Sequence, residues 1–279
     1  MEYNFMQRFR LLPAHAIPAC PAAPRHACML MPASLRATAV ALLALAMLPM
    51  AADTPPRRAM ALAALPATML WAWERPEDLR WLAPDSGVAY VAVTIELAGD
   101  QARLRRRAYP LQVRPDTTVV PMVHVDASWR QPPALNGAQR ELIVSEVLAA
   151  AHGSAARVVQ LDFEVRRSQR AFLLALVAEL RRRLPPDVAL SATALASWCA
   201  GDYWIGALAA DEIVPMAFRM AQDDATIRSQ LADTGAFRRP RCASALGLAT
   251  DEAPIRAGAA RRYFFSPRAW DQATWRRIR

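Results

Sequence analysis

The chain has 279 residues, of which 54% are hydrophobic and only 9 are glycine, and its formal net charge is +9. This length and apolar content allow a large buried core and exclude a mostly disordered chain. All 34 basic residues are arginine, which excludes Schiff-base lysine chemistry and lysine-dependent phosphate loops, and their scatter without interleaved aromatics argues against a nucleic-acid partner.

The first element in chain order is an apolar run at residues 37–52, which follows Arg36 and ends in small residues. This pattern is typical of a secretory signal peptide and is too short for a membrane span. Because the run begins far from Met1, we expect translation to start at Met29 or Met31. The sequence therefore predicts a periplasmic or secreted protein with no stable membrane span in its mature form, divided into an upstream and signal-like segment (1–52), a linker rich in proline and arginine (53–68) and one domain (69–279).

The cysteines agree with export. Cys20 and Cys28 lie in the segment 1–52, which export would remove, so that Cys199 and Cys242 remain as a pair. A disulfide between them is allowed in an oxidising compartment. Two separate buried thiols are equally compatible with the sequence.

From residue 69 onward, short β-branched apolar runs alternate with polar stretches or amphipathic helices. Helices are predicted at 137–152 and 168–184, with Ser168 as the N-cap of the second. Alternating strands and helices predict a parallel sheet, and eight strands predict a single (β/α)8 barrel of TIM type. The helical patterns after the first, sixth and seventh strands are weaker, which allows loops there instead of helices. The predicted strands are 69–73, 88–97, 118–125, 157–163, 189–196, 212–216, 244–248 and 262–265.

Acids and tryptophans cluster where these predicted strands end. In barrels of this type the reactive groups lie at the C-terminal strand ends. Indole faces stack on sugar rings and carboxylates bond to hydroxyls, so the set favours a carbohydrate-binding cleft over ordinary polar loops. The expected substrate-binding residues are Trp71, Trp73, Glu74, Asp126, Gln160, Trp198, Asp202, Arg219, Asp251 and Glu252.

The fourth predicted strand carries the sharpest catalytic pattern. Period-two alternation puts Gln160, Asp162 and Glu164 on one face of the strand. Two carboxyls in a partly dry barrel mouth raise the pKa of one of them, which readies that group as a general acid. Glu164, nearest the rim, is predicted to be the acid, and Asp162 its electrostatic partner.

Residues 157–218 resemble the chitinase-like family-eighteen glycoside hydrolases. The resemblance lies in a strand ending in Asp162-x-Glu164, in the helix that follows, in a fifth strand at 190–195 and in a sixth at 212–218. It implies a TIM-type barrel and hydrolysis of an acetamido sugar, with the substrate's own acetamido group assisting.

Three positions depart from that family's pattern. Gln160 and Arg157 stand where the family carries aspartates, and Phe218 stands where a tyrosine usually holds the acetamido group. Phenylalanine has no hydroxyl to donate, so the resemblance does not extend to the substrate-assisted mechanism.

A longer stretch, from Trp71 to Trp270, is similar to an uncharacterised bacterial family known as domain of unknown function 3142. This resemblance implies a fold and no activity. The motifs that carry it are WAWER (71–75), LDFE (161–164), ALASWC (194–199), VPMAFRM (214–220) and TDE (250–252).

Two main functions remain open. One is an exported glycoside hydrolase that acts on a polysaccharide or envelope glycan, and the other is a non-catalytic sugar-binding or envelope-assembly protein on the same fold. A third, a metal-dependent hydrolase, draws on the oxygen ligands of Asp126, Asp162, Glu164 and Asp251.

The metal hypothesis is weakened by the histidines. Only His124 and His152 follow the signal-like segment, no paired-histidine zinc motif can be written, and His124 is expected to be a core residue. The chain also has no GxSxG, GxGxxG or CxxC motif. A carbohydrate is therefore the expected partner, and neither a metal nor a cofactor is expected.

Overall fold

A computed structural model of the chain describes residues 56–278. The signal-like segment lies outside the described residues, and with it Cys20, Cys28 and the candidate start residues Met29 and Met31. Within residues 56–278, no helix is both long and apolar enough to cross a membrane.

Eight parallel strands close into a barrel, because the first strand pairs with both the second and the last. The predicted eight-stranded (β/α)8 fold is confirmed, and every predicted strand end lies within two residues of the observed one. The barrel strands are β1 (Thr68–Ala72), β3 (Ser86–Ala98), β6 (Thr118–Ala127), β7 (Val158–Phe163), β8 (Ala189–Leu195), β9 (Glu212–Met216), β10 (Ala245–Ala249) and β11 (Arg261–Phe265).

Helices surround the barrel and bury their apolar faces against its wall. Of the three positions at which the sequence allowed a loop instead of a weak helix, those after β1 and β10 are loops. A helix follows β9, because Ile227 and Leu231 supply a buried stripe. The helices after β6, β7, β8, β9 and β11 are α2 (Gly137–His152), α3 (Arg170–Arg183), α4 (Ala196–Ala200), α5 (Asp224–Thr234) and α6 (Gln272–Ile278), with 3-10 turns at Arg167–Gln169, Trp204–Ala207, Ala221–Asp223 and Pro240–Cys242.

The helix after β7 begins later than its pattern predicts. Ser168 lies inside a 3-10 turn and does not cap α3, which begins after Gln169 without a side-chain cap. By contrast, α2 is capped by Asn136, whose side chain accepts a hydrogen bond from the backbone N–H of Gln139.

The connection between β3 and β6 has no helix. Instead, β4 (Gln101–Arg106) turns back along the end of β3 as an antiparallel hairpin, and β2 (Glu77–Asp78) pairs with β5 (Leu111–Gln112) in a small parallel sheet. Every residue of β4 is exposed. A strand without a buried face has no apolar alternation, which is why the sequence did not predict it.

The described part of the predicted linker is folded. Residues Arg57–Ala63 form helix α1, and Leu65 after it is buried in the apolar cluster inside the barrel. The guanidinium of Arg261 donates to the carbonyls of Leu62, Leu65 and Pro66. Because carbonyls at the end of a helix lack partners within the helix, this arginine ties the segment to the barrel.

The structure contains a disulfide between Cys199 of α4 and Cys242, with a Cα–Cα distance of 6.0 Å. The bond joins the segment after β8 to the turn before β10. The two cysteines are therefore not separate buried thiols, which was the alternative that the sequence left open.

Removal of this disulfide is expected to lower the free energy of unfolding. The two cysteines are 43 positions apart, and closing a loop of that length is worth about 4 kcal/mol in the chain-entropy model, or about 2 to 4 kcal/mol in practice. Urea denaturation of the double variant Cys199→Ser/Cys242→Ser measures the loss. Reduced wild-type protein is the control and should match the variant; an unchanged midpoint would contradict the expectation.

Candidate functional site

The inward face of β7 carries three polar side chains from the middle of the barrel to its mouth. Gln160 is fully buried, accepts a hydrogen bond of 2.8 Å from the indole of Trp71 and donates one of 3.0 Å to Ser191. Asp162 is the next inward residue, and Glu164 follows the end of the strand. The alternation expected from the sequence therefore leads from the packed interior to the rim.

Asp162 is held by residues from both neighbouring strands. His124 of β6 is its direct partner in the strand register, and His124 Nδ1 lies 2.7 Å from Asp162 Oδ2. On the other side, the hydroxyl of Thr193 on β8 donates to Oδ1 at 2.5 Å. Only 6% of Asp162 is exposed, so its carboxyl has a fixed position with both oxygens engaged.

This arrangement makes Asp162 and His124 an ion pair. Burial on its own would raise the pKa of Asp162, but the hydrogen bond and charge of His124, with the Thr193 hydroxyl, outweigh burial and lower that pKa. Burial likewise disfavours the charged form of His124, yet the Asp162 hydrogen bond and the charges of Asp162 and Asp126 raise the pKa of His124. An ionised carboxylate beside an imidazolium results.

The carboxyl of Glu164 favours its protonated form, in contrast to that of Asp162. Burial, followed by the negative charges of Asp162 and Asp126, raises the pKa of Glu164 from 4.5 to about 8. No hydrogen bond or ion pair to this carboxyl occurs among residues 56–278, whereas its side chain is still partly exposed at the mouth. At neutral pH, Glu164 therefore carries a transferable proton that solvent or a ligand can reach.

Aromatic rings line the mouth next to these carboxyls. Trp73, at the end of β1, meets His124 edge-on at 5.1 Å between ring centroids and Phe265 at 6.0 Å. Phe265 stacks on Phe218 at 5.4 Å. The indole N–H of Trp73 is buried and has no hydrogen-bond partner in the described part of the chain. These rings make one wall of the site apolar.

A second wall of the mouth comes from β3, which pairs with β1, and from the hairpin of β3 and β4. A β-bulge between Val91 and Val93 changes the alternation, so that inward positions before the bulge are odd-numbered and Thr94 faces inward after it. The Thr94 hydroxyl donates to Glu74 at 3.3 Å, and Glu74 forms an ion pair with Arg105 of β4. Glu74 is thus at the mouth, as expected, but already paired.

At the rim after β9 and β10, Arg219 joins two acids. It pairs with Asp251 at 2.6 Å and with Glu252 at 2.5 Å, and these bonds and charges raise the pKa of Arg219 although burial opposes the charged form. The backbone of Arg219 is left-handed, with φ 54°. The expected substrate-binding residues at this place form a closed charge cluster with one another.

Four of the expected substrate-binding residues are occupied elsewhere, three of them in packing and one in an ion pair. Trp71 is 3% exposed inside the barrel, where it stacks on Tyr263, and Gln160 is committed to it. Trp198 lies in the apolar layer outside the barrel wall. Asp202 forms an ion pair with Arg170 of α3. These residue types are suited to sugar binding, but in the folded protein their side chains are buried or paired with other residues.

Conversely, three residues that the sequence analysis did not select reach the site. His124 was expected to be a core residue, whereas it forms the ion pair with Asp162. Thr193 and Phe265 had no distinguishing pattern. The adjacency of β6 and β7 in barrel order was the one available signal, because it places the inward residues of the two strands side by side.

Asp126 is exposed at the end of β6, two positions beyond His124 on the same face. It influences Glu164 and His124 through its charge. Within residues 56–278, no group of three or more His, Cys, Asp or Glu side chains is arranged to hold a metal ion.

The chain was compared with family models, curated proteins and solved structures. No family model matches the chain, and neither does any curated protein, so the resemblance to family 3142 stays a prediction. Among solved structures, the Bacillus cereus spore cortex-lytic enzyme SleL is 13% identical, with a TM-score of 0.45 over 66% of this chain and 51% of that chain. The chitinase domain of the spore coat protein CotE from Clostridium difficile is 12% identical, with a TM-score of 0.38 over 71% and 64%. The chain spans about half to two thirds of these neighbours, and no residue role is transferred from them.

Proposed function

We propose that the protein is an exported glycoside hydrolase acting on a polysaccharide or envelope glycan, with Glu164 as the general acid. The observation that carries this proposal is the carboxyl of Glu164, which has a pKa of about 8 and lies at the mouth beside the ionised Asp162. Barrels of this type perform their chemistry at the C-terminal ends of the strands, and a protonated carboxyl at such an end can act as a general acid.

The reaction uses the two carboxyls differently. Glu164 gives its proton to the glycosidic oxygen, and the bond from that oxygen to the anomeric carbon breaks with its electron pair staying on the oxygen. The Asp162 carboxylate stabilises the positive charge that develops on the sugar ring. Water then adds to the anomeric carbon and releases the proton that restores Glu164, whose ionised form is disfavoured by the nearby Asp162 and Asp126.

Export and family membership belong to the same proposal. The disulfide between Cys199 and Cys242 supports an oxidising compartment such as the periplasm or the exterior. The signal-like run after Arg36 supplies the route. Membership of the family known as domain of unknown function 3142 is supported by the five motifs quoted above.

A second function, non-catalytic sugar binding or envelope assembly, is favoured by the fate of the positions that depart from the chitinase-like pattern. Gln160 is a buried structural residue, and Arg157 forms an ion pair with Asp187 at 2.7 Å. Phe218 stacks on Phe265 and offers no hydroxyl. A binder would need the mouth of the barrel but neither of the missing aspartates.

The two functions are separated by Glu164→Gln, tested on acetamido and neutral glycans. In an enzyme, this substitution should lower turnover by about 100-fold or more, because it removes the transferable proton, and should leave the Kd for the glycan nearly unchanged. Reducing ends measure turnover, and calorimetry measures binding. Glu141→Gln on the exposed face of α2 is the matched control.

The enzyme proposal fails if Glu164→Gln hydrolyses glycans at the wild-type rate. It also fails if the wild-type protein binds a glycan and releases no reducing ends from it, and that result would establish the binding function instead.

A further inference from the structure

An exposed tryptophan stands beside the proposed active site. Trp129 follows β6 by two residues, and 65% of its surface is exposed, although large apolar side chains are normally buried. Its backbone is held by Arg166, whose guanidinium donates to the Trp129 carbonyl at 2.8 Å. Arg166 itself follows Glu164 by two residues, so this bond joins Trp129 to the segment that carries the proposed acid.

Two arginines contact Trp129, and a third follows one of them along the chain. The guanidinium carbon of Arg130 lies 5.0 Å from the ring centroid of Trp129, which is within the range of a cation–π contact. Arg166 donates to the Trp129 backbone, and Arg167, the next residue along the chain, is exposed. The four residues Trp129, Arg130, Arg166 and Arg167 are called the arginine–indole patch below.

The arginines of the patch differ from most others at the mouth of the barrel. Arg105 and Arg219 pair with carboxylates. None of Arg130, Arg166 and Arg167 forms an ion pair with a carboxylate anywhere in residues 56–278. Guanidinium groups without a carboxylate partner favour a ligand that brings its own anion, since their planar geometry suits carboxylates and similar oxyanions.

We propose that the arginine–indole patch binds an acidic polysaccharide, with a sugar ring on the face of Trp129 and the acidic group of the sugar paired with the guanidinium groups. The inference rests on the proposed function, because it gives the glycan at the barrel mouth an acidic character. The patch lies at the adjacent ends of β6 and β7, so a chain bound there continues toward Glu164.

The direct test is calorimetry of the full chain with polygalacturonate, which carries carboxylates, with dextran sulfate and with neutral dextran of matched length. Both acidic polymers should bind more tightly than dextran, and their ratio shows which acidic group is preferred. Arg166→Gln/Arg167→Gln should raise the Kd for the acidic polymer roughly tenfold. Trp129→Ala should have an effect of similar size, whereas Trp129→Phe should retain most of the affinity because it keeps a ring.

Arg182→Gln is the matched control. Arg182 is exposed in the last turn of α3, at the opposite end of the barrel, and makes no ion pair among the described residues. This variant removes one positive charge far from the patch, against two in Arg166→Gln/Arg167→Gln, and should leave the Kd unchanged. Equal weakening by Arg182→Gln would overturn the proposal, since net charge would then be responsible.

Two further results would overturn it. One is dextran binding as tightly as polygalacturonate. The other is double-stranded DNA binding as tightly as polygalacturonate without any dependence on Trp129, which identifies a general polyanion surface. The failures of the two proposals can be distinguished. If the protein does not bind acidic glycans, the test of Glu164→Gln on neutral glycans still decides the enzyme proposal. If acidic glycans bind through the patch and are not hydrolysed, only the enzyme proposal is refuted.

Discussion

Replacing Asp162 by asparagine is expected to lower the free energy of unfolding by about 2 to 3 kcal/mol near pH 5.5, which is the typical contribution of a hydrogen bond to a charged group. Asparagine keeps the shape and one acceptor oxygen, so Thr193 or His124 can still be satisfied. It removes the charge that holds the buried imidazolium of His124. The loss arises in the ion pair and not in packing.

The pH dependence of this loss follows from both pKa shifts. The pKa of His124 is raised above 6.5 in the folded protein, so its contribution is complete below pH 6.5 and disappears as the pH rises through the raised value. The pKa of Asp162 is lowered below 3.8, so its contribution is complete above that pH and disappears in acid. The difference between wild type and variant should be largest between pH 3.8 and 6.5.

Urea denaturation at pH 5.5 and at pH 9 measures this difference. Asp187→Asn is a suitable control, because Asp187 pairs with Arg157 at the surface, where water and salt screen the ion pair and its contribution is small. A loss that is the same at both pH values would mean that His124 is neutral, which would contradict the ion pair.

Glu164→Gln is expected to stabilise the protein in alkaline solution while it abolishes activity. The folded-state pKa of about 8 lies above the ordinary value of 4.5, so the folded protein favours the protonated carboxyl. The contribution of Glu164 to stability is therefore present below pH 4.5 and is lost as the pH rises toward 8. Glutamine is permanently neutral and escapes this loss.

The size of the gain is set by the shift. At about 1.4 kcal/mol per pKa unit, the variant should exceed the wild type by up to about 5 kcal/mol at pH 9, and by nearly nothing at pH 4. Denaturation curves at both pH values measure the gain, with Glu141→Gln as a control that should show no such trend. Equal stability of Glu164→Gln and wild type at pH 9 would show that the carboxyl titrates normally.

The two acids of the site affect stability in opposite directions, because the Asp162–His124 pair stabilises the fold whereas burial of Glu164 is costly above its ordinary pKa. A neutral Glu164 next to a charged Asp162 is retained although the neutral isostere is expected to be more stable, which is the usual relation between catalytic groups and stability. The arginine–indole patch is different, because its arginines are solvated and add little to stability. Substitutions in the patch should therefore change ligand binding without changing the unfolding midpoint.

The sequence by itself determined the eight barrel strands and the inward face of β7. Both depend on local periodicity: apolar runs bounded by turns mark strands, and alternation must place Gln160, Asp162 and Glu164 on one face. The order of parallel strands also required the acids to end at the mouth. Every predicted strand end was within two residues for this reason.

Only the tertiary structure decided which side chains meet there. His124 and Asp162 are 38 positions apart, and their ion pair depends on the register between β6 and β7. Closure of the barrel placed Trp71 inside and Trp198 outside the wall, although the sequence predicted that both would bind sugar. Such contacts depend on strand register and on the volume enclosed by eight strands, and no local pattern of residues encodes either.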